Sequence, residues 1–292
     1  MKRTLIALAF AVLAAFSANA EEKTKTYEYK NITGIEAGYT YDIYVTQGKS
    51  DVVTIVYEGS YEDYMTVNFS ERSGVLRLGV EDMPMRLIKQ KGESIKVYMD
   101  MKQVLDIDLS GAASITFEGI FTTTDLEIEL SGASKLKNLN IKGNSLSADL
   151  SGASYAYVEG SFAKEVDVEI SGAAKMSFNA KSSSLEGDFS GAAKFDGSIN
   201  TSDCSIECSG AANVRLEGNA KALEMDGSGA CTINAKDFVA EKANISLSGA
   251  CNAKVHATRT LSHDISRTCK MTYYGDAVLQ NLAEDSNIVR GR

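Results

Sequence analysis

The chain has 292 residues, 39 acidic against 30 basic for a net charge of −9, with 24 glycines, five cysteines, one proline and no tryptophan. That acidity excludes the electrostatic footprint of a nucleic-acid binder or of a protein drawn to anionic lipid. A single proline fits a backbone whose N–H groups are nearly all committed to ladders.

Residues 1–20 read as a secretory signal peptide. Lys2 and Arg3 precede an unbroken apolar run from Leu5 to Phe16, and Ala18 and Ala20 form a small-x-small cleavage pattern. The run is too short for a permanent anchor, and no cysteine stands at the cleavage point for a lipid. The expectation is an exported protein without a transmembrane anchor, in the periplasm, at the outer-membrane surface or outside the cell.

Residues 21–105 are strand-rich. "YTYDIYVTQGKSDVVTIVYEG" alternates about the turn "QGKS", and "YMTVNFSERSGVLRLGV" and "SIKVYMDM" continue the pattern. The segment forms either irregular coils of the structure that follows or a separate small β cap over it.

Residues 106–270 repeat. Ser-Gly-Ala begins at Ser110, Ser131, Ser151, Ser171, Ser190, Ser209, Ser228 and Ser248, and a decayed copy begins at Ser266, in steps of 18 to 21 residues. Counting from each serine, offsets −1, −3 and +5 are apolar or small in nearly every copy, as in Ile170, Val168 and Met176, while offset −2 is acidic in all but one. That is the period of a strand with one buried face. A strand repeat of about 20 residues predicts an all-β, parallel β-solenoid resembling a right-handed β-helix, one coil per repeat, with capped ends.

The triplet reads as a corner between two short strands. Its glycine (+1) and the Ala, Ser or Cys at +3 fall on the inward parity, so the backbone is expected to pass close to the core. The serine hydroxyl is expected to bond locally or to the serine of the next coil. The remainder of each coil, such as "NIKGNS" or "NAKSSS", reads as turns or a weak third strand facing solvent. Arg267 takes the glycine position of the last copy, so the regular coils end near it and residues 271–292 form a C-terminal cap.

The candidate site is the row at offset −2: Asp108, Glu129, Asp149, Glu169, Asp188, Glu207, Asp226 and Asp264. Carboxylates stacked at ladder spacing repel, each neighbour costing about 1 kcal/mol in water. Calcium would relieve that repulsion, but the Gly-Asp loops of calcium-binding nonapeptide repeats are missing, and neither a metal nor a cofactor is expected. Lysines at +4 (Lys135, Lys175, Lys194, Lys270) would partly neutralise the row. A ladder of nucleophilic serines lacks an activating base, since the chain has only His256 and His263. Cys231, Cys251 and Cys269 share offset +3 and read as buried free thiols, with a disulfide between stacked coils left open.

"NITGIEAGYTYDIYVTQGKSDVVTIVYEG", "SGVLRLGV", "IKVYMDMKQVLDIDLSGAASI", the serial Ser-Gly-Ala coils and "TYYGDAVLQN" resemble the DUF2807 family of exported bacterial proteins, common in Bacteroidetes and labelled as an auto-transporter adhesin head GIN domain. The resemblance implies a β-solenoid at a Gram-negative envelope or surface, and it supplies no catalytic residues. The functional expectation is a non-enzymatic, adhesin-like or ligand-binding protein whose partners are surface glycans or proteins. The rivals are a carbohydrate-active β-helix enzyme and a structural or envelope-homeostasis protein without a discrete ligand.

Overall fold

The computed structural model describes residues 22–50, 52–84, 95–280 and 287–291. The expected signal peptide lies outside them, and residues 281–286 and 292 of the expected C-terminal cap do too. Alternation of apolar and polar residues makes strands, and the described strands join one continuous sheet. Each Ser-Gly-Ala repeat is one coil of a parallel β-solenoid. The strand before the corner forms one wall: Asp106–Leu109, Asp125–Leu130, Ser145–Leu150, Glu165–Ile170, Ser184–Phe189 and Asp203–Cys208 stack in register, each parallel to the next. The strand after the corner forms a second wall, in which Lys135–Gly143, Tyr155–Phe162, Lys175–Lys181 and Lys194–Asn200 stack the same way. From Asn213 on, single strands run from one corner to the next: Asn213–Gly227, Thr232–Leu247 and Asn252–Ile265.

Offsets −1, −3 and +5 face inward as the pattern requires; Leu130, Ile128 and Leu136 are buried. Phenylalanines fill the core where a neighbour is glycine. Phe189 and Phe195 stack at 4.8 Å, and a Cβ added to Gly187 or Gly197 would meet their rings at 2.8 and 2.6 Å.

Three expectations are corrected. The polar-looking remainder of each coil is strand with buried side chains, among them Phe121, Ile141, Phe162 and Ile199. One apolar residue every second position suffices for a strand, even amid Gly, Ser and Asn. The corner glycines face outward rather than inward. Gly132, Gly152 and Gly172 are exposed, with φ of 66, 67 and 67°. The left-handed turn breaks the strand parity at that residue, and parity resumes with the buried +3 position. Two constraints demand glycine there. Positive φ disfavours a side chain, and a Cβ on Gly172 would stand 2.8 Å from the carbonyl oxygen of Gly152 in the preceding coil. The corner peptides also bond coil to coil: Ala133 N–H donates to Gly111 O, Ala153 to Gly132 and Ala173 to Gly152, each at 2.7 Å. The serine hydroxyl does not reach the next serine. Ser151 Oγ donates instead to Leu130 O of the preceding coil at a long 3.4 Å.

The stack continues past both ends of the triplet series. Gly34–Ala37 lies on Asp106–Leu109 and Tyr41–Gln47 on Ser114–Glu118, both parallel, with Tyr39 (φ 62°) in the glycine position. Above that coil, antiparallel strands take over: Val52–Glu58 on Ile95–Met101, Glu22–Glu28 on Val52–Glu58, and Met65–Ser70 on Val75–Val80. At the other end, Arg267 does not adopt positive φ, and Thr268 Oγ1 rather than a backbone N–H donates to Gly249 O. Lys270–Tyr274, Val278–Gln280 and Ile288–Arg290 add the last parallel pairings.

Candidate functional site

Outward positions of the first wall carry the candidate residues, because the strand parity that buries −1 and −3 exposes −2. Register places Glu129 between Asp108 and Asp149, Glu169 between Asp149 and Asp188, and Glu207 between Asp188 and Asp226. Ser246 then interrupts the row before Asp264, and Glu36 of the coil without a triplet extends it above Asp108. All eight predicted carboxylates therefore share one face and are exposed or half-buried.

The face holds more acid than the single row. Continuing the parity to −4 brings Asp106, Glu127, Asp167, Glu186 and Glu224 alongside it, and −6 adds Asp125, Glu165 and Asp203. Sequence reading passed over these residues, although extending the even offsets by two and four positions would have found them. Lys242 is the one cation of these outward rows among the described residues. Two shallow grooves run along the wall. One, of about 830 Å³, lies over the −4 and −6 rows. The other, of about 790 Å³, lies between the −2 row and the corner serines, from Asp149 to Ser266.

The +4 lysines stand beyond the corner, and the neutralisation expected of them is not found. Among the described residues, the ion pairs Lys194–Asp196, Arg215–Glu217 and Arg259–Glu241 lie off this wall, and only Arg77–Glu36 touches its upper end. None of the eight predicted carboxylates has an ion-pair partner among the described residues. At that upper end, burial and neighbouring charges act together on the carboxylates. Asp106 lies above the ordinary carboxylate range through burial and the charges of Glu127, Asp108 and Glu129. Asp108 is raised by burial and Glu36, and Glu129 by burial, Asp108, Glu127 and Asp149. The row is thus less uniform than its repetition implies. Among the described residues no three His, Cys, Asp or Glu side chains converge as a metal ion would need.

The five thiols are free and buried, and burial pushes Cys204 up to about 12 and Cys251 up to about 11. Cys231 Sγ donates to Ser228 O at 2.9 Å and Cys251 Sγ to Ser248 O at 3.2 Å, so each thiol closes the corner it follows. No helix among the described residues is long and apolar enough to cross a membrane.

No curated protein matches the chain. Similar solved structures include one described as a putative adhesin from Parabacteroides merdae, 19% identical with a TM-score of 0.45, covering 93% of this chain and 94% of that one. Another is a putative adhesin from Parabacteroides distasonis, 18% identical with a TM-score of 0.46, covering 94% and 95%. A third, described as a putative lipid binding protein from Parabacteroides distasonis, is 14% identical with a TM-score of 0.46 over 90% and 93%. Likeness at that level carries no argument about ligand. The sequence model of DUF2807, described as "Putative auto-transporter adhesin, head GIN domain", matches residues 31–177 and 164–277. With the triplet coils accounted for by those two spans, the chain belongs to the DUF2807 family.

Proposed function

We propose that this protein is a non-enzymatic, adhesin-like protein, exported to the bacterial envelope or surface, that engages partners along its acidic wall. The observation that carries the reading is the register of the −2 row, which presents carboxylates at successive coils with no cation paired to the eight predicted carboxylates among the described residues. Equivalent contacts at about 4.8 Å spacing suit multivalent attachment, in which weak contacts add up to strong retention. The negative field favours surface proteins or glycans that carry cationic groups. Catalysis by paired carboxylates needs one group held as acid and another as base. Here Asp106, Asp108 and Glu129 shift in the same direction for the same causes, which does not divide those roles. The family's description and the apolar run of the first 20 residues support the adhesive and exported parts of the reading.

The test uses purified protein lacking residues 1–20 on arrays of host glycans and matrix proteins and on whole cells. Retention should weaken with added salt and fall sharply in Asp149→Ala/Glu169→Ala/Asp188→Ala, whose melting curve should remain cooperative. Retention by none of these surfaces, or retention indifferent to the triple substitution, would sink the proposal.

A further inference from the structure

We propose a discrete saccharide-binding subsite on the second wall, in the hollow between Tyr157 and Glu217, independent of the acidic wall. Outward positions in the row through Tyr157 differ at every coil. Register sets Tyr157 beside Ser177, Ser177 beside Asp196 and Asp196 beside Arg215, with Asn179, Ser198 and Glu217 forming the parallel row. Ser177 and Ser198, on adjacent strands, are small side chains flanked by larger ones, and they open a diagonal trough of about 340 Å³. At one end stands the half-buried ring of Tyr157, with only Ser177 between it and Asp196. Two ladder spacings, roughly 10 Å, separate the strands of Tyr157 and Asp196, which leaves room for one pyranose ring against the tyrosine face.

The polar groups match such a ligand. Arg215 donates from two nitrogens to Glu217 Oε1 (Nε 3.1 Å, Nη2 2.6 Å), which orients its guanidinium. Planar Asp, Asn, Glu and Arg groups pair with neighbouring sugar hydroxyls, which both donate and accept, while an aromatic face packs on sugar C–H groups. The charge balance selects against an ion. Lys194 lies 3.2 Å from Asp196 and Arg215 pairs with Glu217, so each carboxylate has its own cation. The ligand class is therefore a neutral mono- or disaccharide unit, bound weakly, as expected of a small open site.

The experiment is saturation-transfer NMR on the protein lacking residues 1–20 with neutral probes: methyl glycosides of glucose, galactose and mannose, N-acetylglucosamine, lactose and cellobiose. At least one probe should bind with a Kd tighter than about 10 mM. Arg215→Ala and Tyr157→Ala should each weaken it about ten-fold or more, the loss of one good contact. Tyr157→Phe, which keeps the ring, should bind nearly as wild type. Far-UV circular dichroism and melting confirm that each variant is folded. Asp149→Ala/Glu169→Ala/Asp188→Ala should leave sugar binding unchanged, which separates failure of this subsite from failure of the acidic wall. No binding by any probe, binding unaffected by Arg215→Ala and Tyr157→Ala, or binding lost in the acidic-wall variant would overturn the subsite.

Discussion

The wall before each corner and the wall after it are stacked by the same backbone ladder, yet their outer faces follow different rules. On the first wall the −2 position is Asp, Glu, Asp, Glu, Asp, Glu, Asp in seven consecutive coils, from Asp108 to Asp226. On the second, the row through Tyr157 reads Tyr157, Ser177, Asp196, Arg215 in four consecutive coils. The second wall is an internal control. It shows that stacking of coils leaves outward side chains unconstrained, so the uniform carboxylates of the first wall are not a by-product of the repeat. They are kept against their mutual repulsion, whereas the inward residues and the corner glycines are what stacking itself demands.

Substitutions can break that contrast, and the largest effect belongs to the corner. Gly172→Ala must place a Cβ at positive φ and against a backbone oxygen, and should cost about 2–4 kcal/mol, read from the shift in the urea midpoint. Arg267→Gly, at a corner without positive φ, should change stability by under about 1 kcal/mol. Equal tolerance at the two positions would show that stacking does not select the glycine. Next comes the wall itself. Asp149→Asn/Glu169→Gln/Asp188→Asn should stabilise the protein at neutral pH by about 1–2 kcal/mol as repulsion between neighbours is removed. Asp196→Asn/Glu217→Gln on the second wall should lose about 0–1 kcal/mol with its exposed pairs. A loss in the first variant as well would mean that the acidic row is bridged by something that neutralises it, and calorimetric heat with calcium would identify the bridge.

Acidity tests the same point with smaller effect. Asp106, Asp108 and Glu129 have folded pKa values above their unfolded ones, so the native state takes up protons first as pH falls. Their contribution is greatest below the unfolded values near 4 and is lost as pH rises through the raised folded values. Melting temperature should accordingly be higher near pH 5 than near pH 7.5. Asp108→Asn/Glu129→Gln should flatten the profile. The smallest change is at the thiols. Cys251→Ala recreates the alanine of other corners and should cost under about 1 kcal/mol. Iodoacetamide should label none of the five cysteines until denaturant is added, because all are buried.

Much of this architecture was legible in the sequence, since period and parity are properties of stacking. Ile128, Ile170 and Leu136 face inward where a two-residue alternation puts them, and the acidic row follows from the same count. The corner glycines misled because parity holds only along extended backbone, and a left-handed residue turns the side chain's direction around. Phe162 and Ile199 were hidden among Gly, Ser and Asn, in stretches where composition resembles a turn while every second residue is still buried. The coil through Glu36 and Tyr39 was hidden because its corner reads Gly38-Tyr39-Thr40 instead of Ser-Gly-Ala, with Tyr39 rather than a glycine taking the positive φ. The hollow beside Tyr157 could not be read from any one repeat, because it exists only between coils.

The corner bonds described above have a further consequence. The peptide unit joining Gly132 and Ala133 donates through Ala133 N to Gly111 O and accepts at Gly132 O from Ala153 N, and the next corners repeat the arrangement. Along the strands, neighbouring peptide dipoles alternate in direction and cancel. Along the corner the same unit recurs with the same orientation, so a file of parallel dipoles runs from Tyr39 to Gly249, each polarising the next. An all-β rod thereby acquires the axial polarity of a long α-helix, positive toward its N-terminal coils and negative toward Gly249. The positive end lies beside Asp106, Asp108 and Glu129, where the acidic wall is most crowded.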